Sequence, residues 1–258
     1  MDKYLIINAD DFGMCRSANL AVMDLLKSGS ITSSTIMAPC AWAYEACQFA
    51  KNNPQFAIGV HLTFTSEWAT YRWAPVGASN TDSLRDELGF MYHESIDVEK
   101  NVDIKEVAAE IHAQVKRLKA MGLTPSHMDN HMGSLYGIEA GRFELLQLAL
   151  GIAGEYGLPF RFPGTFTDAQ MNNTMLDIKI DKEQILGLVG QFKGMRKLVY
   201  RDVMVFASKM LVQERSGTHQ HRSYRIKKGT KHPDTRSGKA AESQRLLRRI
   251  NLRHDFTE

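Results

Sequence analysis

The chain has 258 residues, of which 43% are hydrophobic and 24% are charged. These fractions are typical of soluble globular proteins, and they exclude a wholly disordered, collagenous or membrane-spanning chain. A length of roughly 250 residues is enough for one α/β barrel with a sizeable core.

Charge divides the chain into two parts. Residues 1–213 contain 20 Lys+Arg against 24 Asp+Glu, whereas residues 214–258 contain 12 against 5, so the net charge of +3 describes neither part. The second part also has few large apolar side chains and cannot build a core of its own. We therefore expect a folded body over 1–213 and an atypical basic segment, disordered or altered, over 214–258.

The cysteine content and the first residues bear on the compartment. Cys15, Cys40 and Cys47 are too few and too irregularly spaced for a disulfide framework or a cysteine zinc site. The N-terminal residues lack the apolar stretch and the cleavage site of a secretory signal. These features predict reduced thiols and a cytoplasmic protein.

The body predicts alternating strands and helices, because short β-rich apolar runs alternate with segments of helical period. In chain order, strands are predicted over residues 4–8, 32–38, 56–62, 125–131 and 159–162. Helices are predicted over 17–27, 41–51, the stretch between an Asp103 cap and a closing Gly122, 139–156 and 182–192. This repetition predicts parallel strands in an open doubly wound sheet or a closed barrel, with functional residues at the carboxyl ends of the strands.

Two of these helices carry an apolar stripe that we expect to face the core. The first helix has Leu20, Met23 and Leu26 along one side, and Gly29 follows it as a C-cap signal. The helix after Asp103 has a longer stripe, which consists of Ile104, Val107, Ala108, Ile111, Val115 and Leu118.

A long insertion, residues 64–101, interrupts the repetition after the third strand. It carries large side chains among glycines, prolines and charges: Trp68, Tyr71, Trp73, Phe90, Met91 and Tyr92. A long insertion after a strand is typical of a loop that covers a substrate. The alternative is that its aromatic side chains only pack against the rim of the sheet.

Adjacent aspartates, Asp10 and Asp11, follow the first predicted strand. Two neighbouring carboxylates repel each other unless a cation or a proton compensates them. A bend between strand and loop would let both side chains reach one cleft. The alternative is that one of them caps the following helix.

Histidines follow two further strands. A lone histidine such as His61, after the third strand, is more often a structural core residue than a ligand. In the fourth strand, His127, Asp129 and His131 alternate and would share one face. That face suits a divalent metal bound by one or two imidazoles, with Asp129 or a neighbour fixing their tautomer. A buried polar network is the alternative; of the two imidazoles, His131 lies nearer the carboxyl end and is the better ligand.

Taken together, Asp11, His61 and His131 supply one carboxylate and two imidazoles from three strand ends. Three protein ligands with open positions for water and substrate are typical of catalytic metal sites. Asp10 would then stand beside the metal as a general base. The spacing permits this chemistry without requiring it.

The motifs Asn-Ala-Asp-Asp-Phe-Gly (8–13), Gly-Val-His-Leu-Thr (59–63) and His-Met-Asp-Asn-His (127–131) together resemble the YdjC-like carbohydrate deacetylases, the family that includes chitooligosaccharide deacetylase. The similarity extends from residue 3 to about 165. It implies an irregular, TIM-barrel-like (β/α) barrel with one divalent metal ion, magnesium or zinc. It also implies removal of acetyl groups from N-acetylated mono- or oligosaccharides of the chitooligosaccharide type, with or without a phosphate group.

The resemblance also implies roles for individual residues. Asp11, His61 and His131 correspond to the metal ligands and Asp10 to the catalytic base. His127 and Arg161 correspond to residues of the substrate pocket.

The chain departs from the family near its end. Relatives place a His-Pro pair after a late apolar strand, where that histidine is a natural acid for the leaving amine. Here His219, His221 and His232 follow no such strand, so we assign none of them a role. We hypothesise that a frame shift has altered part of the region after residue 213. Translation of the coding DNA in all frames would test this: the hypothesis fails if no other frame restores a strand that ends in His-Pro.

Other interpretations remain open from the sequence alone. The chain could be an inactive or sugar-binding relative, or another metal-dependent barrel hydrolase such as a phosphoesterase. The basic segment could bind nucleic acid, but a charge run is more often a solvated segment. We therefore expect an N-acetylated saccharide as the partner, with no nucleic acid and no membrane, and a homodimer is left open.

Overall fold

The computed structural model describes residues 5–79 and 81–162 together with the backbone of 199–200. Its elements in chain order are β1 Asn8–Phe12, α1 Arg16–Ser28, β2 Ser33–Met37, α2 Ala43–Asn52, β3 Ala57–Leu62, α3 Ser95–Asn101, α4 Ile104–Ala120, β4 Met128–Asn130, α5 Glu144–Glu155, β5 Phe160–Arg161 and β6 Val199–Tyr200. Short 3₁₀ turns lie at Asp82–Leu84 and His131–Gly133. None of the described helices has the length and apolarity needed to span a bilayer.

The six strands form one parallel sheet in the order β1-β2-β3-β4-β5-β6. Each strand pairs with its predecessor, so the carboxyl ends of all the strands meet at one edge of the sheet. The α/β class with parallel strands is therefore confirmed. Three predictions concern residues outside the described ranges. They are the closure of the barrel, the helix over 182–192 and the boundary at residue 213.

The first strand lies later in the chain than predicted, at 8–12 instead of 4–8. The apolar residues that suggested the earlier position, Leu5 and Ile6, are 54% and 48% exposed. The true strand is polar, and β2 satisfies it: Ser33 Oγ donates to Asn8 Oδ1 at 2.6 Å, and Ser34 Oγ donates to the Ala9 carbonyl at 2.7 Å. Hydrogen bonding between neighbouring strands outweighs the local apolar signal here.

The fourth strand is shorter than predicted. It ends at Asn130, and His131 begins a 3₁₀ turn in which Met132 has a φ of 55°. Asn130 is still extended, and Asp129 and His131 both contact His61, which agrees with the shared face predicted for these two side chains; the chain turns at His131. The other predicted elements that lie within the described residues differ from the observed ones by at most two residues at either end, except α5, which begins five residues later than predicted, at Glu144.

The two helix stripes differ in outcome. In α4 the stripe is confirmed, with Val107, Ile111, Val115 and Leu118 fully buried, and Asp103 caps the helix by accepting from the amides of Lys105 and Glu106. In α1 the stripe is partly wrong, because Leu20 is exposed while Asn19 is buried. Gly29 ends α1 with a φ of 68°, as predicted.

The buried apolar residues of the described part form two clusters. The larger one packs the helices against β2 and β3, whose residues are almost all buried. The smaller one, called here the rim cluster, joins the ends of β1 and β2 to the insertion, and its buried members are Met14, Met37, Cys40, Trp73 and Met91. The insertion thus packs directly on the edge where the predicted site residues lie.

Candidate metal centre

A bulge in β1 brings both aspartates to the same edge. The pairing with β2 shifts register between Ala9 and Phe12, and Asp11 has a φ of 64°. This left-handed conformation is uncommon for residues other than glycine, and such conformations cluster at functional sites. An extra residue in the strand breaks the regular alternation, so neighbouring side chains can both point into one cleft. Neither aspartate caps α1, whose N-cap is Cys15, so the capping alternative is wrong.

The turn that follows the aspartates is held by a buried asparagine. Asn19 accepts from the Gly13 amide at 2.7 Å and donates to the Trp42 carbonyl at 3.1 Å and to Glu45 at 2.8 Å. Gly13 has a φ of 91°, and a Cβ there would lie 2.9 Å from the Cα of Ala43. Only glycine fits this turn without displacing α2, so the position of the aspartates is set by local packing.

The structure brings Asp11, His61 and His131 together. Asp11 Oδ1 lies 3.2 Å from His61 Nε2 and 3.0 Å from His131 Nδ1, and these two nitrogens are 3.2 Å apart. A divalent ion with bonds of about 2.1 Å and near-right angles between them has neighbouring ligand atoms about 3.0 Å apart. The donor atoms and the size of the triangle therefore both fit a metal ion.

The remaining nitrogen of each imidazole is bonded to a carboxylate. His61 Nδ1 donates to Asp129 Oδ1 at 2.6 Å, and His131 Nε2 donates to Glu67 Oε2 at 3.1 Å. In the neutral imidazoles, this leaves the lone pairs of His61 Nε2 and His131 Nδ1 directed at the triangle. Asp11 Oδ1 is buried and accepts no well-aligned hydrogen bond within the described residues. Three electron-pair donors thus meet where a cation would satisfy them.

Protons compensate the carboxylates when no cation is bound. Burial alone would lower the pKa of His61, but Asp129 and Asp11 raise it to about 10. Burial likewise opposes the charge on His131, and Asp11 and Glu67 raise its pKa to about 9. Burial raises the pKa of Asp11, but the two histidines bring it far below its usual value. The carboxylates around His61 and His131 therefore favour a positive charge at this site, which a bound metal ion would supply.

Asp10 lies beside the triangle in a network of strand residues. Arg161 Nη2 donates to both carboxylate oxygens of Asp10, at 2.8 and 2.9 Å, and lies 2.6 Å from Asp129 Oδ2. Asn8 Nδ2 also donates to Asp10, at 2.7 Å. Burial raises the pKa of Asp129, but His61 and Arg161 lower it to about 2. Arg161 therefore contacts both Asp10, beside the triangle, and Asp129, which bonds His61.

His127 is near this network but outside the triangle. It is buried, and its Nδ1 lies 2.8 Å from Ser126 Oγ. Burial lowers the pKa of His127, and the charge of Arg161 adds to that effect. A Cβ on Gly59 of β3 would come within 2.8 Å of His127 Nδ1, so the imidazole packs on bare backbone. His127 therefore lies beside the network, packed against β3.

Glu67 is a site residue that the sequence did not reveal. It lies in the insertion, and a single glutamate among loop residues carries no periodic signal. Trp73 of the insertion also contacts the site, with its ring centroid 6.4 Å from that of His131, and donates from Nε1 to the Thr65 carbonyl at 2.7 Å. Of the two interpretations of the insertion, its aromatic side chains do pack against the rim.

Buried polar residues of α4 brace the insertion. Glu110 accepts from the amides of Val76 and Gly77 at 2.9 and 2.8 Å. Burial raises the pKa of Glu110, and these hydrogen bonds partly offset that effect. Gln114 bonds both the amide and the carbonyl of Thr63, at 3.0 and 2.6 Å. One face of α4 thus fixes the start of the insertion next to the end of β3.

Comparison with known proteins gives a consistent set of relatives. A carbohydrate deacetylase from Enterococcus faecalis is 36% identical over 162 residues, which are 62% of this chain and 58% of that protein. One from Thermoanaerobacter pseudethanolicus is 27% identical over 205 residues, 74% of this chain and 77% of that protein. A chitooligosaccharide deacetylase from Yersinia enterocolitica is 33% identical over 133 residues, 51% of this chain and 50% of that protein. The chain thus spans little more than half the length of the first of these relatives.

A solved structure shares the fold. It is named as a cellobiose-phosphate cleavage protein from Enterococcus faecalis and superposes with a TM-score of 0.52 at 27% identity, covering 81% of this chain and 84% of that one. The family model described as YdjC-like protein matches residues 4–254. That match covers nearly the whole sequence, and the chain therefore belongs to the YdjC-like family.

Proposed function

We propose that this protein is a metal-dependent carbohydrate deacetylase that hydrolyses the acetamide group of an N-acetylated saccharide. One observation carries the proposal: Asp11, His61 and His131 form a triangle of donor atoms with edges of 3.0 to 3.2 Å, and Asp10 lies next to it. The names of the relatives, carbohydrate deacetylase and chitooligosaccharide deacetylase, support the same reaction.

Asp11, His61 and His131 would hold the ion. A divalent ion bound there would polarise the acetamide carbonyl and make a nearby water more acidic. Asp129 keeps the imidazole of His61 in the tautomer and orientation that ligation needs.

Asp10 is the residue best placed to act as general base. Its side chain is 33% exposed, more than that of Asp129, so it can meet a water molecule in the cleft. Arg161 and Asn8 hold its carboxylate in one orientation. Asp10 would take the proton of the water that attacks the carbonyl carbon.

The leaving amine needs a proton when the tetrahedral carbon collapses. The candidate histidines His219, His221 and His232 lie outside the described residues, and none is assigned this role. Arg161 and His127 are proposed to contribute to the substrate pocket, with Arg161 also bound to Asp10.

Three finer features belong to the same proposal. Six parallel strands that follow chain order without reversal support a (β/α) barrel more than a doubly wound sheet. One carboxylate and two imidazoles suit magnesium or zinc. The name of the solved relative, a cellobiose-phosphate cleavage protein, supports inclusion of phosphorylated sugars among the substrates.

The test is acetate release from N-acetylglucosamine, chitin-derived oligosaccharides and their phosphorylated forms, with and without a chelator. Chelation should stop acetate release, and zinc or magnesium should restore it. Release of phosphate instead of acetate would indicate a phosphoesterase. Saccharide binding without product would indicate an inactive relative.

A further inference from the structure

We infer that Glu67 is a positioning residue for the metal centre: it accepts the Nε2 proton of His131 and so keeps His131 Nδ1 directed at Asp11 and His61. This inference rests on the proposed function, and it assigns to the insertion a part in building the site. It concerns a residue that need not touch metal or substrate itself.

The contact geometry supports this role. Glu67 Oε2 lies 3.1 Å from His131 Nε2, while His131 Nδ1 lies 3.0 Å from Asp11 Oδ1. The imidazole thus has a carboxylate close to each nitrogen and lies edge-on to Trp73, at an interplanar angle of 61°. Without Glu67, a proton could move to Nδ1, or the ring could rotate, and either change removes the lone pair from the triangle.

The backbone before Glu67 is fixed, so the carboxylate does not depend on a loose loop. The Ser66 amide donates to the Tyr92 carbonyl at 2.7 Å. Ser66 Oγ accepts from the Trp73 amide at 2.9 Å and from Arg72 Nε at 3.2 Å. These bonds join the first and last parts of the insertion at the residue next to Glu67. Its side chain is therefore presented from an anchored position.

The experiment measures metal binding to the full-length chain. The protein is stripped of metal, and its zinc affinity is then measured by competition with a chromophoric chelator, while the visible spectrum of the Co²⁺ form reports ligand geometry. Wild type is compared with Glu67→Ala and Glu67→Gln. Glu94→Ala is the matched control, because Glu94 lies in the same insertion and its side chain is 60% exposed.

Glu67→Ala is expected to weaken zinc binding by about 10- to 100-fold, the range typical of lost second-shell partners of metal ligands. It should also shift the Co²⁺ spectrum. Glu67→Gln retains a carbonyl oxygen as acceptor and should lose less affinity than the alanine variant. Glu94→Ala should leave affinity and spectrum unchanged.

The outcomes separate the two proposals. If wild type binds zinc and both Glu67 variants match it in affinity and spectrum, the role of Glu67 is overturned. If Glu67→Ala does not fold, Glu67→Gln decides, and wild-type affinity and spectrum in that variant overturn the inference. If wild type itself binds neither zinc nor cobalt, the proposed metal centre fails instead.

Discussion

The two imidazoles of the candidate metal centre are supported by different regions of the molecule. His61 is held by the sheet, through Asp129, whose side chain is 1% exposed and which also contacts Arg161 and Thr35. His131 is held by the insertion, through Glu67, whose side chain is 22% exposed. The sheet side is built from buried strand residues, whereas the insertion side depends on a partly exposed residue of the segment that follows β3.

This difference indicates how the site divides its tasks. The sheet supplies the aspartates, His61 and the base network around Asp10. The insertion supplies one partner, Glu67, and part of the apolar rim cluster that packs beside His131. Changes on the sheet side should therefore affect metal, rate and stability, while changes on the insertion side should mainly affect the metal.

The largest expected effect comes from removing a ligand on either side. His61→Ala and His131→Ala should each lose the metal and reduce acetate release to less than about one thousandth of the wild-type rate, because both ligands are needed to hold the ion. Metal content and acetate release measure this. His93→Ala, at an exposed histidine of the insertion, serves as the control.

Losses of similar size in the two variants are expected if both imidazoles are ligands. Normal metal content and rate in His131→Ala would show that His131, and with it the Glu67 contact, is dispensable. Full activity in both variants would remove the site assignment altogether.

The next effect concerns the base and separates chemistry from metal binding. Asp10→Asn keeps the shape of the side chain and one of the two oxygens that accept from Arg161 Nη2, so the metal should remain. The loss of a general base should slow acetate release by about 10²- to 10³-fold. Metal analysis and steady-state kinetics check both parts, with Asp24→Asn, at an exposed position of α1, as the control. Loss of metal in Asp10→Asn would move Asp10 into the ligand set.

Protons on His61 and His131 compensate the carboxylates in the metal-free protein, so metal binding should depend on pH. The pKa values of His61 and His131 are raised to about 10 and about 9. At pH 7 both are therefore protonated in the metal-free protein, and a bound ion must displace two protons. Affinity should rise with pH, by up to about 100-fold per unit below pH 9, and level off above pH 10.

Calorimetry in buffers of different ionisation enthalpy measures the number of protons released directly. About two protons per ion are expected for wild type near pH 7. If zinc affinity did not depend on pH and no protons were released, the raised pKa values of His61 and His131 would be contradicted.

Sequence patterns located the sheet side of the site but not the insertion side. Polar residues at the ends of apolar strands identify Asp11, His61 and His131 because parallel strands bring their carboxyl ends to one edge. The position of β1 was missed because its polar residues are satisfied by side chains of β2, which lie about 25 positions away in the chain. Glu67 was missed for a similar reason: its partner, His131, is 64 positions away, and no local period marks it.

Buried polar residues in α4 show the same limit. Its apolar stripe is readable from a period of 3.6 residues, yet Glu110 and Gln114 are fully buried beside that stripe. Their partners are backbone groups of the insertion and of Thr63. Helical periodicity predicts which face is buried, but it does not predict which polar groups on that face find partners.

The smallest expected effect tests the packing of the sheet side by a matched pair of substitutions. In Gly59→Ala, the new Cβ would lie 2.5 Å from the His127 carbonyl oxygen and 2.8 Å from Nδ1, so β3 and the chain entering β4 must separate. We expect a loss of about 1–3 kcal/mol in the free energy of unfolding. Gly151→Ala lies within α5, where the new Cβ has no neighbour within 4 Å, and should gain about 0.5–1 kcal/mol because alanine favours helix.

Urea unfolding of both variants measures the difference. The two changes in the free energy of unfolding should have opposite signs, and this contrast matters more than their magnitudes because glycine is replaced by alanine at both sites. Zinc affinity should also fall in Gly59→Ala, because His61 lies two residues along the displaced strand, and should stay unchanged in Gly151→Ala. A Gly59→Ala protein as stable as wild type would show that β3 has room to move at His127. The rigidity that distinguishes the sheet side from the insertion side would then not come from this contact.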